Sequence, residues 1–300
     1  MSRIDEALRQ LSDEKGKSHA SDATSESEWS FQPYQREKEA PKRAERPSPV
    51  QAERVTAAFP QPVATAKPKG KAAGVQGKDD GKLVTGSSTS PVLVEQYRRL
   101  AAVLDQAHAE KQIKTIAITS SLPREGKTLT AANLALTLSE SYGRRVLLID
   151  ADLRRPSLHT ALGVANGRGL GEVLRSPQRD CAFVQVTELL SLLPGGRADR
   201  NPLSALSSER MKELLEAAEA EYDWVILDTP PVGVLSDAQI VGRLAGGVLF
   251  VIAAGQTPLN VVERAIAEIG PECILGTVLN RVDEGQIPES VYNDYLDINN

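Results

Sequence analysis

Thr119-Ser-Ser-Leu-Pro-Arg-Glu-Gly-Lys-Thr128 is the stretch around which the rest of the chain can be read. Ahead of it, Lys114-Thr-Ile-Ala-Ile-Thr119 is apolar and β-branched, the pattern of a buried strand. Behind it, residues 128–141 are rich in Ala and Leu, and Gly143 stands where a helix would stop. A strand, a short loop and a helix opening on Gly-Lys-Thr form the setting of a phosphate-binding loop. The backbone of Pro123, Arg124, Glu125, Gly126, Lys127, Thr128 and Leu129 would cradle the phosphates of a nucleotide at the positive end of the helix. Lys127 would reach the β- and γ-phosphates, and the Thr128 hydroxyl would bind Mg²⁺. Ser121 takes the place of the glycine that usually opens such a loop.

Working outward, residues 92–109 read as a helix, followed by the strand, loop and helix already described. Further buried strands are expected at 145–150, 188–193, 224–228, 247–253 and 274–279. Helical stretches are expected between them at 157–179 (in pieces), 203–221, 235–244 and 259–269. Strands that alternate with helices, each apolar along its length, predict an α/β fold with a mostly parallel sheet covered on both faces. Ligands in such sheets sit beyond the carboxyl ends of the strands.

Two of those ends are acidic. Asp228 closes the run Trp224-Val-Ile-Leu-Asp228, where a Mg²⁺-binding aspartate of a nucleotide site belongs. Asp150 and Asp152 close the run beginning at Arg145. Two carboxylates so close to a triphosphate need a cation between them, and Mg²⁺ supplies one. One carboxylate can help hold the metal while the other accepts a proton from an incoming hydroxyl. The blander alternative is a set of solvated turn residues and helix caps. ATP and Mg²⁺ are the cofactors this pattern calls for.

Composition narrows the rest. A formal net charge of −5 over 300 residues suggests neither nucleic acid nor an anionic lipid surface as partner. Cys181 and Cys273 have no Cys or His neighbour, which reads as reduced thiols in a cytosolic protein. Residues 1–10 lack the apolar core of a signal peptide, and the longest apolar run, 247–255, is too short to span a bilayer. A cytoplasmic protein is expected, reaching a membrane only through a partner. Residues 1–11 form a short amphipathic helix candidate with Ile4, Ala7, Leu8 and Leu11 on one face, either a docking helix or a frayed terminus. Residues 12–90 are rich in Ser, Lys, Glu, Ala and Pro, the composition of a disordered linker. The folded domain is then 91–282, and 283–300 a flexible tail.

The motifs together carry a resemblance. The loop ending Gly126-Lys127-Thr128, the run Leu148-Ile-Asp-Ala-Asp-Leu-Arg-Arg-Pro156 and the run Ile226-Leu-Asp-Thr-Pro-Pro231 resemble the three nucleotide motifs of bacterial tyrosine autokinases, the BY-kinases of polysaccharide synthesis. Pro194-Gly-Gly-Arg197, Asn201-Pro202 and Val278-Leu-Asn-Arg281 resemble further stretches of that family, and Met1-Ser-Arg-Ile-Asp-Glu-Ala-Leu-Arg9 resembles the opening of its exopolysaccharide- and exosortase-linked branch. The resemblance implies a P-loop NTPase-type kinase domain stimulated by a membrane chain-length-determinant protein. It implies that Lys127 and Thr128 hold phosphates and metal, that Asp150 and Asp228 support the metal, and that Asp152 acts on the acceptor tyrosine. It places Asn280 and Arg281 beside the adenine and makes Tyr292 and Tyr295 of the tail the phosphate acceptors. It also implies self-association through an acid-Arg-Arg motif on the helix before the loop. Glu95 and Arg98 match that motif, but its third position is Ala101, which puts a closed ring in question.

Two other functions compete. A partition or division-site ATPase would carry an extra lysine near the start of the loop, where this chain has Leu122-Pro123-Arg124. A nucleotide-binding scaffold without kinase activity would not need Lys127, Thr128, Asp150, Asp152 and Asp228 together.

Overall fold

A computed structural model of the chain describes residues 82–86, 89–176, 183–233 and 236–282. The expected helix at 1–11, most of the expected linker and the tail at 283–300 lie outside the described residues.

The strand ahead of the loop, β1 (Thr115–Ser120), is buried at every residue because it lies well inside the sheet. It is flanked by β5 (Trp224–Asp228) and β6 (Gly247–Ala253), both parallel to it. β2 (Val146–Asp150) pairs with β5 on one side and with β4 (Leu190–Leu193) on the other. A two-residue strand, β3 (Val184–Gln185), and β7 (Ile274–Asn280) form the edges, giving the order β3-β4-β2-β5-β1-β6-β7. Only β3 runs antiparallel among the described strands.

Each strand's alternating residues serve two cores, as a period of two requires. Ile116, Ile118, Leu148, Ile226 and Val251 pack against α1 (Pro91–Lys111) and α2 (Lys127–Glu140), together with Trp224. Ala117, Leu147, Ile149, Leu227 and Phe250 face α4 (Leu170–Arg175), α5 (Leu203–Leu206), α6 (Glu209–Glu221), α7 (Asp237–Leu244) and α8 (Leu259–Ile269). The one-turn α3 (Leu158–Ala161) follows β2 and sends Leu158 into the first of these cores. α2 is buried from Thr130 through Ser139, so its small residues, Ala131, Ala132 and Ala135, let it lie close on the sheet.

Three details depart from the expectations. Residues 82–86 belong to the fold: Leu83 is fully buried, the Val84 N–H donates to Asn133 Oδ1 at 2.9 Å, and Asn133 Nδ2 donates to the Lys82 carbonyl at 2.9 Å. The boundary expected at residue 91 therefore moves upstream, because an average composition conceals a single apolar anchor. The single helix expected at 203–221 is two, separated where the Ser208 hydroxyl caps α6 by accepting the Met211 N–H at 3.3 Å. β3 was not expected, since two residues give no periodicity to read.

Candidate active site

The loop between β1 and α2 is held from above. Its last residue, Gly126, has φ +101°, and a Cβ there would stand 1.9 Å from Asn280 Nδ2. Glycine is thus required for both backbone conformation and close approach. Glu125 is only 3% exposed. Its carboxylate accepts the Leu122 N–H at 2.6 Å, the Ala253 N–H at 3.4 Å and the Thr257 hydroxyl. Asn280 Nδ2 donates to the Glu125 carbonyl at 2.8 Å. Arg281 donates to the Arg124 carbonyl at 2.6 Å and to Gln256 Oε1 at 3.0 Å. The ends of β6 and β7 therefore fix the loop, and Asn280 and Arg281 lie against its backbone. The bracing role of the Glu125 side chain was not visible in the sequence, because two of its three partners, Ala253 and Thr257, lie 128 and 132 residues downstream.

The floor is acidic and dry. Asp150 and Asp228 are register partners at the carboxyl ends of β2 and β5, strands that run roughly 4.8 Å apart. Both are fully buried. Asp150 Oδ2 accepts the Ser157 N–H at 2.8 Å and the Leu158 N–H at 3.0 Å. Asp150 Oδ1 and both Asp228 oxygens are buried without a hydrogen-bond partner. Burial, and next the Asp228 charge, push the Asp150 carboxyl up to about 8, against the pull of the Ser157 and Leu158 N–H groups. Burial pushes Asp228 up to about 6, against the pull of the Lys127 charge and the neighbouring Thr128 hydroxyl.

Lys127, the first residue of α2, reaches down to this floor. Its Nζ lies 3.5 Å from Asp152 Oδ2. Burial acts to lower its pKa, but the charges of Asp228, Asp152 and Asp150 outweigh it and hold the ammonium above its ordinary value. Asp152 is 5% exposed and accepts the Arg155 N–H at 3.1 Å. The loop carrying Asp152 is tied to α7 by a forked pair, Arg154 Nε to Asp237 Oδ2 at 2.6 Å and Nη2 to Oδ1 at 3.2 Å. Sequence reading missed that pair, since its members stand 83 residues apart with no shared motif.

Orphaned buried oxygens cost roughly 1–3 kcal/mol each unless something binds them. A donor set made only of carboxylate and hydroxyl oxygens, from Asp150, Asp228 and Thr128, fits a small hard cation such as Mg²⁺. The fold thus brings Lys127, Thr128, Asp150, Asp152 and Asp228 to one place.

The other predicted residues lie elsewhere. Tyr292 and Tyr295 are outside the described residues. Tyr97 is buried, and the Tyr142 hydroxyl donates to the Arg98 carbonyl at 2.8 Å. Glu95 pairs within α1 with Arg99 at 3.5 Å and with Arg98 at 4.0 Å. Ala101 is fully buried, so the third position of the expected motif faces the core, and Arg98 and Arg99 carry the exposed charge. Among the described residues, no helix is long and apolar enough to cross a membrane.

The chain is similar to known proteins over much of its length. An AAA domain family model matches residues 113–260. The chain is 41% identical over 191 residues to the tyrosine-protein kinase YwqD of Bacillus subtilis, covering 62% of this chain and 80% of that protein. It is 33% identical over 213 residues to the tyrosine-protein kinase wzc of Salmonella typhimurium, covering 70% of this chain but only 30% of that longer protein. The kinase domain of the Escherichia coli tyrosine kinase ETK superposes with a TM-score of 0.59 at 34% identity, over 63% of this chain and 76% of that domain.

Proposed function

Because the chain belongs to the bacterial tyrosine kinase family, within the P-loop ATPases, we propose that it transfers the γ-phosphoryl group of ATP to tyrosines of its own C-terminal tail. One observation supports this most: buried carboxylate oxygens without partners lie beside Thr128, at the foot of a braced phosphate loop. Thr128, Asp150 and Asp228 would hold Mg²⁺, which when bound would neutralise phosphate charge. Lys127 would place its ammonium on the transferring group, where a preorganised cation in a water-poor site acts most strongly. The braced backbone from Pro123 to Leu129 would orient the phosphates, and Asn280 and Arg281 would lie toward the adenine side. Asp152 would accept the proton of the tyrosine hydroxyl as that oxygen takes the phosphoryl group and ADP leaves. The hydrogen bonds that the Glu125 carboxylate and carbonyl accept would hold the loop still during the transfer.

The protein would act in the cytoplasm, at the membrane through a chain-length-determinant protein, and would regulate exopolysaccharide synthesis. Self-association through the Glu95 and Arg98 face would let one tail reach a neighbour's site. Incubation with Mg-ATP and phosphotyrosine mapping tests the reading. Phosphate on Tyr292 or Tyr295, lost when both become Phe, is the expected result. ADP release with no phosphotyrosine on any protein would instead favour a switch ATPase.

A further inference from the structure

Two neighbouring hollows carry a basic rim. A hollow of about 550 Å³ is lined by Arg168, Arg175 and Arg197 together with Glu172 and Asp199. A smaller one of about 310 Å³, sharing Asp199, is lined by Arg154 and Arg200. The wall common to both is fastened to the strand-end loop that carries Asp152. The Asp199 N–H donates to the Leu153 carbonyl at 2.8 Å. Gly195 lies so close to Pro156 that a Cβ would stand 2.8 Å from the ring.

The two acids of the hollow are engaged within the protein. Glu172 accepts the Gly169 N–H at 2.9 Å and the Arg197 N–H at 3.0 Å. Asp199 pairs with Arg175 and accepts the Asn201 N–H at 2.9 Å. Arg168, Arg197 and Arg200 are exposed, and no described carboxylate forms an ion pair with their guanidinium groups. The fold therefore leaves exposed guanidinium groups, in excess over the two acids, on a wall tied through Asp199 to Leu153, the neighbour of the residue assigned to the acceptor hydroxyl. The chain's own tail has the matching character. Residues 283–300 carry Asp283, Glu284, Glu289, Asp294 and Asp297 around Tyr292 and Tyr295, and no Lys or Arg. Clusters of arginine recognise acidic segments by forked, charge-assisted hydrogen bonds.

We propose that this rim, centred on Arg168 and Arg197, is a docking site for acidic segments that flank an acceptor tyrosine. The proposal rests on the kinase reading for its biological role, but docking itself requires no phosphoryl transfer. It makes acidic character around the tyrosine a determinant of substrate choice. Neutral or basic tyrosine peptides would be poor substrates even where they reach Asp152.

Fluorescence anisotropy tests it. The probe is a labelled peptide of residues 283–300, and the receiver is the full chain with its five tail acids changed to amides, so that its own tail cannot compete. The acidic peptide should bind at least tenfold more tightly than the same peptide with Asn and Gln at those five positions. Arg168→Glu with Arg197→Glu should abolish that preference, with circular dichroism unchanged. Arg168→Gln with Arg197→Gln serves if the reversal variant fails to fold. Equal affinity for the two peptides, or a preference that survives in the arginine variants, would overturn the docking site. Preference without any tyrosine phosphorylation would uphold it and sink the kinase reading. Phosphorylation of both peptides at equal KM would do the opposite.

Discussion

The roof and the floor of the loop both contain buried carboxylates, and they are treated in opposite ways. Glu125 in the roof accepts three donors, two from the backbone and one from Thr257. Asp228 in the floor, as deeply buried, accepts no backbone donor and has the Thr128 hydroxyl beside it. A buried charge is tolerated when hydrogen bonds surround it and is costly when they do not. The satisfied carboxylate is a brace whose work is complete in the folded chain. Asp228, with the one free oxygen of Asp150, would be complete only with a cation bound. The difference is the basis on which the proposal assigns Glu125 a structural role and the floor acids a functional one.

The contrast can be broken by mutation. The largest effect belongs to the floor. Asp228→Asn should reduce phosphoryl transfer by about a hundredfold or more, the scale on which loss of one electrostatic stabiliser is felt. Initial rates of tyrosine phosphorylation at saturating Mg-ATP would show it. Retention of the parent rate would return Asp228 to the class of turn residues.

Next comes the pH dependence of the metal-free protein. Asp150 and Asp228 have folded pKa values raised to about 8 and about 6, above an unfolded value of ~3.9. Carboxyls raised in the folded state contribute stability that is fully present below the unfolded value and is lost as pH rises through the folded ones. In EDTA, thermal unfolding should therefore show these groups favouring the fold at pH 5.5 over pH 8.5. The Asp150→Asn, Asp228→Asn double variant should show a flatter profile. An unchanged slope would mean that the floor is better solvated than its burial indicates.

The roof should respond differently. Glu125→Ala leaves buried donors without an acceptor and should cost about 1–3 kcal/mol in urea denaturation, largely independent of Mg²⁺. A loss that Mg-ADP fully restores would make Glu125 a ligand-side residue instead of a brace. The smallest effect is on the surface. Glu95→Ala removes exposed pairs to Arg98 and Arg99 and should change stability by no more than ~0.5 kcal/mol. Sedimentation should nonetheless show weaker self-association if that face joins copies of the chain.

Much of the fold was legible because its signals are local. The apolar runs ending at Ser120, Asp150 and Asp228 each name a central strand, and Gly126-Lys127-Thr128 marks where the first helix starts. The floor was legible for the same reason, since strand ends in a parallel sheet converge. What escaped depends on contacts between distant segments. The Glu125 brace, the Arg154 to Asp237 fork and the seating of Leu83 beside Asn133 each join residues that no period or spacing connects. The break before Ser208 is another matter: a serine followed by Glu209 is a cap signal, and the long helical run around it concealed it.

The most direct test of the account asks whether the orphaned oxygens are waiting for a metal. Thermal unfolding of the full chain and of Asp228→Asn would be followed at pH 8, each in EDTA and each with saturating Mg-ADP. Without metal, the variant should melt higher than the parent, because a buried charge has been removed. With Mg-ADP, the parent should gain several degrees and the variant little, so that the order reverses. If the variant melts lower in EDTA and gains as much as the parent from Mg-ADP, Asp228 is a structural acid and the account of the floor is wrong.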